Sequence, residues 1–192
     1  ISMVIIIIIL STYIFNSMGY ELRNQEVEKL NAISKTVNNK LDDLLEEGEV
    51  AVKLVAKNTA VQAAFADRDR ELLRSMLLDS YQDISEEMAQ FQFHLPNSTS
   101  FLRLHNPSKY GDDLSSFRLT VNQANSEKEL VSGIEEGRGG YGLRVVSPVE
   151  YRGDHLGTVE FGVSLGEGFL NEIKNDFPGD YYIYSLADKE NV

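Results

Sequence analysis

Phe91-Gln92-Phe93-His94-Leu95, closed by Pro96-Asn97-Ser98 and followed by Ser100-Phe101-Leu102-Arg103-Leu104-His105, sets the period of the second half of the chain. Apolar and polar residues alternate there, the spacing of strands that bury one face, and the proline-asparagine-serine step reads as the turn between them. Downstream, Leu130 to Glu135, Tyr141 to Glu150 and His155 to Ser164 have the same character. Gly137, Gly139 and Gly140 make one connection, and Tyr151-Arg152-Gly153-Asp154 is a tight hairpin turn. Asn106-Pro107 and Gly111-Asp112-Asp113 punctuate a loop between the two groups of strands. A helix from Phe117 to about Asn125 follows, with Ser115 or Ser116 as its cap. Gly166 to Phe177 reads as a short closing helix.

Upstream of this region the period becomes helical. From Tyr20 to about Phe65 there is no proline, and Leu30, Ile33, Val37, Leu41, Leu44, Gly48, Ala51 and Val55 recur at steps of three and four. The spacing predicts one long amphipathic helix, which either packs on its own domain or pairs with a second copy as a parallel stalk. Asp67-Arg68-Asp69 breaks it, and Arg70 to about Tyr81 forms a second, shorter helix. Residues 1–20 carry no charge, and Val4 to Leu10 is unbroken aliphatic sequence. A helix over residues 1–18 would reach about 27 Å, close to the hydrocarbon thickness of a bilayer. Tyr13 and Tyr20 sit toward its far end, where aromatic rings favour the interface. Phe15-Asn16-Ser17-Met18 makes a poor signal-cleavage site, so a membrane anchor is expected rather than a removed leader. A pilin-type leading helix is rejected because Ile5 stands where that class carries a glutamate.

Composition narrows the function. The chain has 192 residues, with 18 Lys and Arg against 30 Asp and Glu, a formal charge of −12, and no cysteine. The length suffices for a sizeable core without a disulfide or metal. Thiolate metal sites and cysteine nucleophiles are excluded, and the acidic balance offers no basic stripe for nucleic acid. Three histidines without ligand spacing suggest no metal, and no residue set suggests a cofactor or a catalytic centre.

Splitting each strand by alternation yields two faces. Phe91, Phe93, Leu95, Leu102, Leu104, Leu143, Val145, Val159, Phe161 and Val163 form a core face. Gln92, His94, Arg103, His105, Glu135, Arg144, Thr158 and Glu160 form the other, with Phe101 among them. Two readings of the polar face stand. It is solvated, with Arg103–Glu160 and Arg144–Glu135 as cross-strand pairs contributing roughly 0.2–1 kcal/mol each. Alternatively, loops and the helix after Asp113 cover it, leaving a pocket whose arginines suit a carboxylate, with His94 or His105 as donors. Asp112-Asp113 reads as a helix cap.

The order of elements describes an α+β fold: a five-stranded antiparallel sheet with a long N-terminal helix, a PAS-like layout. The residues that carry a closer likeness are Phe91 to Pro96, Ser100 to His105, and Gly111-Asp112-Asp113-Leu114 with Arg118. With them go Gly133-Ile134-Glu135, Gly137, Gly142-Leu143-Arg144, Pro148 and Gly157-Thr158-Val159-Glu160-Phe161-Gly162. Together they resemble the double-Cache extracytoplasmic sensor domains of bacterial chemoreceptors, sensor histidine kinases and diguanylate cyclases, over roughly Gln90 to Phe169. The resemblance implies a transmembrane span over residues 1–18, a long helix plus a second helix over 19–82, and a membrane-distal Cache module over 83–176. Residues 177–192 would begin a second module or a linker, with Asp180 to Ser185 as its first strand, in a fragment of a longer receptor. It implies a non-enzymatic sensor in the inner (cytoplasmic) membrane, extracytoplasmic after about residue 20. Its partners would be a small-molecule ligand, a carboxylate by preference, and a second copy through the long helix, with no nucleic acid. The ligand-binding candidates carried over are His94, Arg103, His105, Arg118, Glu135, Arg144 and Glu160. The rival expectation is a ligand-free dimerisation or periplasmic protein-interaction module.

Overall fold

The structure, a computed structural model, describes residues 2–137 and 140–184. Contacts divide the chain into two units, Ile1–Lys40 and Leu41–Val192. The first unit contains only the leading part of α1 (Ser2–Ala56). Its aliphatic side chains from Val4 to Leu10 are all exposed, and among the described residues this is the one helix long and apolar enough to cross a membrane. Within it the Thr12 hydroxyl donates to the Ile8 carbonyl at 2.8 Å.

In the second unit α1 continues to Ala56 and then stops. The single helix expected as far as Phe65 is divided, because the Asn58 side chain accepts from the amides of Ala60 and Val61 and starts α2 (Thr59–Ala66). Asp69 likewise caps α3 (Arg70–Asp83) through the Leu72 amide. These helices cover one face of an antiparallel sheet built from β1 (Gln90–His94), β2 (Ser100–Arg103), β3 (Val131–Gly137), β4 (Gly140–Tyr151) and β5 (Asp154–Ser164), ordered β2-β1-β5-β4-β3. The short helices α4 (Leu119–Glu127) and α5 (Glu167–Asp176) complete the elements.

The core lies between the sheet and the first three helices. Val52, Ala56, Phe65 and Leu73 meet Phe91, Phe93, Leu102, Val145, Val159 and Phe161. Aromatic rings carry much of this contact: Phe65 meets Phe93 edge-on at 5.3 Å, and Phe91 lies 4.3 Å from Phe161. Gly48 lets α1 approach the sheet, since a Cβ there would sit 3.0 Å from Val145 Cγ2. Phe101 departs from the alternation. The β1–β2 register shifts between Phe93 and His94, and the Phe101 ring turns to the helix layer, 5.2 Å from Phe65.

The β4–β5 turn has Arg152 and Gly153 both at positive φ, 55° and 91°, the geometry of a type I′ hairpin. Gly137 pairs with Gly140 across the β3–β4 connection, whose Arg138 and Gly139 lie outside the described residues. Of the strand expected at Asp180 to Ser185 as the start of a second module, Asp180 to Tyr184 are not strand-paired here. The remainder of that expectation, Ser185, lies outside the described residues.

At Gly157 the backbone has φ +134°, and a Cβ would run into the His94 carbonyl oxygen. Neither problem can be relieved by a side-chain rotation. Gly157→Ala should therefore lose at least about 2 kcal/mol in urea unfolding followed by circular dichroism. Gly168→Ala, in α5 with open space around it, should be neutral or slightly stabilising. Equal behaviour of the two variants would contradict the strained crossing of β1 and β5.

Candidate functional site

The second face of the sheet is covered by α4, which packs against β3, β4 and β5 with Val121 and Ala124 set on Val146. This helix does not begin with a serine cap. Its N-cap is Arg118, with no side-chain cap of its own, and its first turn is satisfied from across the sheet. Glu135 Oε1 accepts from the Thr120 amide at 2.9 Å, and Oε2 accepts from the Thr120 hydroxyl at 3.1 Å. A carboxylate at a helix N-terminus is electrostatically favoured as well as hydrogen-bonded. Asp113, expected as a cap, instead accepts the Ser115 amide in the preceding turn.

Arg118 joins the helix start to two strands. Its Nε donates to Glu135 Oε2 and its Nη2 to Glu160 Oε1, each at 2.6 Å. All three side chains are buried. Removing the arginine would strand two buried carboxylates, which costs about 3–5 kcal/mol. Burial alone would raise the Glu160 pKa, but Arg118 first, then His94 and Arg144, pull it below the usual range. Burial opposes the charge on Arg118 too, and Glu160 and Glu135 outweigh it. Neither cross-strand pair expected from the alternation forms. Arg103 instead grips Asp112 with two bonds, of 2.6 and 3.0 Å, and also donates to the Lys109 carbonyl.

Between these pairs lies a cavity of about 150 Å³. Four of the seven candidate residues line it: Arg103, His105, Arg118 and Arg144. The other three sit behind or beside it. Glu135 caps α4, Glu160 is fully buried and also accepts from Gln92 Nε2 at 3.1 Å, and His94 is fully buried with Nδ1 3.1 Å from the Thr158 hydroxyl. His105 is at the rim, its Nδ1 3.4 Å from the backbone of Phe91. The lining also takes Gln90, Gln92, Asn106, Lys109, Leu114, Phe117 and Gly137. Gln92 was visible in the strand alternation, whereas Asn106 and Lys109 come from an aperiodic loop that carries no such signal.

Arg144 differs from the other two arginines. It is 3% exposed, lies 3.8 Å from Glu160 Oε1, and makes no hydrogen bond among the described residues; its buried Nε has no partner. Burial pulls its pKa down, although a guanidinium stays charged at neutral pH. Its side chain lies across a floor of glycines. A Cβ on Gly162 would collide with its Nη1, and one on Gly142 or Gly137 would come within 3.1 Å of its Nη2. The sheet thus sets this guanidinium in the cavity wall, with Glu160 as its ion-pair partner at 3.8 Å.

His94 has a separate consequence. Burial holds its imidazole at about 4, with Glu160 opposing the shift and Arg118 and Arg103 adding to it. Its Nε2 has no hydrogen bond, so the 3.5 Å approach to Glu160 is made by a neutral ring at pH 7. The unfolded chain takes up this proton below about 6.5 and the folded chain does not until about 4. Stability should therefore fall by about 1.4 kcal/mol per pH unit across that window from this group alone. His94→Gln should flatten the decline when melting is followed from pH 7 to pH 4.5. An unchanged slope would contradict a neutral buried His94.

The family model described as "Double sensory domain of two-component sensor kinase" matches residues 23–191. Among solved structures, the Vibrio cholerae DctB histidine kinase sensor domain aligns at TM-score 0.60 and 14% identity, over 81% of this chain and 59% of that one. The Escherichia coli DcuS sensor domain aligns at 0.58 and 14%, over 71% and 98%. The ligand-binding domain of the Pseudomonas aeruginosa amino acid chemoreceptor PctC, in complex with GABA, aligns at 0.52 and 17%, over 77% and 65%. The chain spans 59% and 63% of two further sensor domains, from a histidine kinase and a GGDEF-family protein. No curated protein matches the sequence. With its five-stranded sheet, helical cover and matched length, this chain belongs to the family of double sensory domains of two-component sensor kinases.

Proposed function

We propose that this chain is the extracytoplasmic sensing part of a transmembrane receptor, and that it binds a small carboxylate in the cavity between α4 and the sheet. Arg144 carries the proposal, as a buried guanidinium on the cavity wall with no hydrogen bond of its own. A buried Nε–H without an acceptor is costly, and a carboxylate entering the cavity would meet the guanidinium with a charge-assisted, planar match. Arg103 and Arg118, already held by acidic partners, orient the site rather than supply its free charge. The PctC domain, solved in complex with GABA, supports the sensing role, as does the family's place in sensor kinases.

Residues 1–18 act as the membrane span and 83–176 as the ligand-binding module. α1 carries the signal, since one end of this helix holds the apolar span and the other packs on β4 through Gly48. The ligand must favour one of two arrangements of that packing for anything to be transmitted. The three- and four-residue spacing of Leu30, Ile33, Val37, Leu41 and Leu44 on α1 supports its pairing with a second copy. A ligand-free interaction module, the rival reading, predicts complete Arg–Glu pairing on the sheet; Arg144 has a 3.8 Å approach to Glu160 and a buried Nε without a partner.

The test is a thermal-shift screen of organic acids, amino acids and simple amines against the chain and its Arg144→Ala variant. Carboxylates should raise the melting temperature of the parent, and the variant should lose the response while still folding. Stabilisation by amines alone, or a carboxylate response untouched by Arg144→Ala, would reject the proposal.

A further inference from the structure

The charges around the cavity restrict what kind of carboxylate it can take; this inference rests on the proposed ligand site. Three guanidiniums, Arg103, Arg118 and Arg144, face three carboxylates, Asp112, Glu135 and Glu160, so the group sums to zero before a ligand arrives. His94 is neutral at pH 7, and burial likewise lowers the pKa of His105, with Arg103 and Arg144 adding to the shift. Among the described residues, Lys109, which is exposed, is the remaining charge on the lining. One negative charge entering the site is therefore matched by one cation at its rim. A second would stay uncompensated in a buried position, where each unpaired charge is costly.

The lining has a second property. Among the described residues, no aspartate or glutamate lines this cavity. The nearby carboxylates are spent: Glu135 on Arg118 and the start of α4, Glu160 on Arg118 and Gln92, Asp112 on Arg103. An ammonium group on the ligand would find three guanidiniums and no free acid. The neutral part of the wall is mixed, with the amides of Gln90 and Asn106 beside Leu114 and Phe117. That suits a short chain bearing a hydroxyl or keto oxygen. The volume of about 150 Å³ matches that of a cavity known to hold benzene, so the ligand has about six non-hydrogen atoms.

We infer that the cavity selects small monocarboxylates without an amino group, hydroxy or keto acids included, against both dicarboxylates and amino acids. The lining decides this by what it lacks as much as by what it offers. Gly162 and Gly142 are part of the device, since their missing side chains leave the space in which Arg144 lies.

Isothermal titration of the full chain in nanodiscs tests this with propionate, lactate and pyruvate against alanine and malonate, which keep the three-carbon skeleton, and against inorganic phosphate. The expected result is binding of at least one of the first three at least about tenfold tighter than of alanine, malonate or phosphate. That binding should disappear in Arg144→Ala. If alanine or malonate binds as tightly or more tightly, and Arg144→Ala abolishes it, the selectivity inference is overturned while the carboxylate site stands. If no carboxylate binds, or binding survives Arg144→Ala, the site and the inference fail together.

Discussion

The clasp of Arg118 on Glu135 and Glu160 is the constraint on which the site depends. A five-stranded sheet with one apolar face would bury that face against α1, α2 and α3 and leave the other wet. Here one arginine at the start of α4 reaches two carboxylates on two different strands and pins the helix over the polar face. Charged groups that would otherwise be solvated become buried, and burial turns weak surface pairs into strongly coupled ones. The cavity exists because the clasp closes one side of it while the Arg103–Asp112 pair shapes the other.

Within that frame the arginines divide their work. Two are neutralised by direct, short contacts and act as fixed donors and struts. The third is held on a bed of glycines at a distance from Glu160 too long for a hydrogen bond. Its buried Nε lacks an acceptor, which is costly, and in the proposed function a carboxylate supplies one. The output in that reading is whatever change in α1 packing accompanies ligand binding.

Much of the fold was legible in the residues themselves, because strand alternation and helical spacing are local properties. The five strands and α3 lie close to where periodicity put them, and Phe91, Phe93, Val145, Val159 and Phe161 all face the core. What escaped was set by contacts distant in sequence. The start of α4 was misplaced because its cap is Glu135, seventeen residues beyond Arg118. Phe101 was put on the wrong face because a register shift beside His94 breaks the period of two. The helix break at Asn58 was hidden by an apolar stripe that continues across it. Polar-face membership was readable for six of the seven candidates, Arg118 coming from the family resemblance alone, but which of them would be spent on one another was not. Pairing depends on register and on where α4 lands, and neither is written in the alternation.

The central claim is that Arg144 offers its guanidinium to an anion in the cavity between α4 and the sheet. Side-chain Nε–H resonances of arginine in the 15N-labelled full chain report this directly, with Arg144 assigned by its Lys variant. On titration with a binding carboxylate, the Arg144 signal should move and become protected from exchange, while those of Arg103 and Arg118 shift little. Movement confined to exposed arginines such as Arg23 and Arg152, with Arg144 unchanged at saturation, would contradict the account.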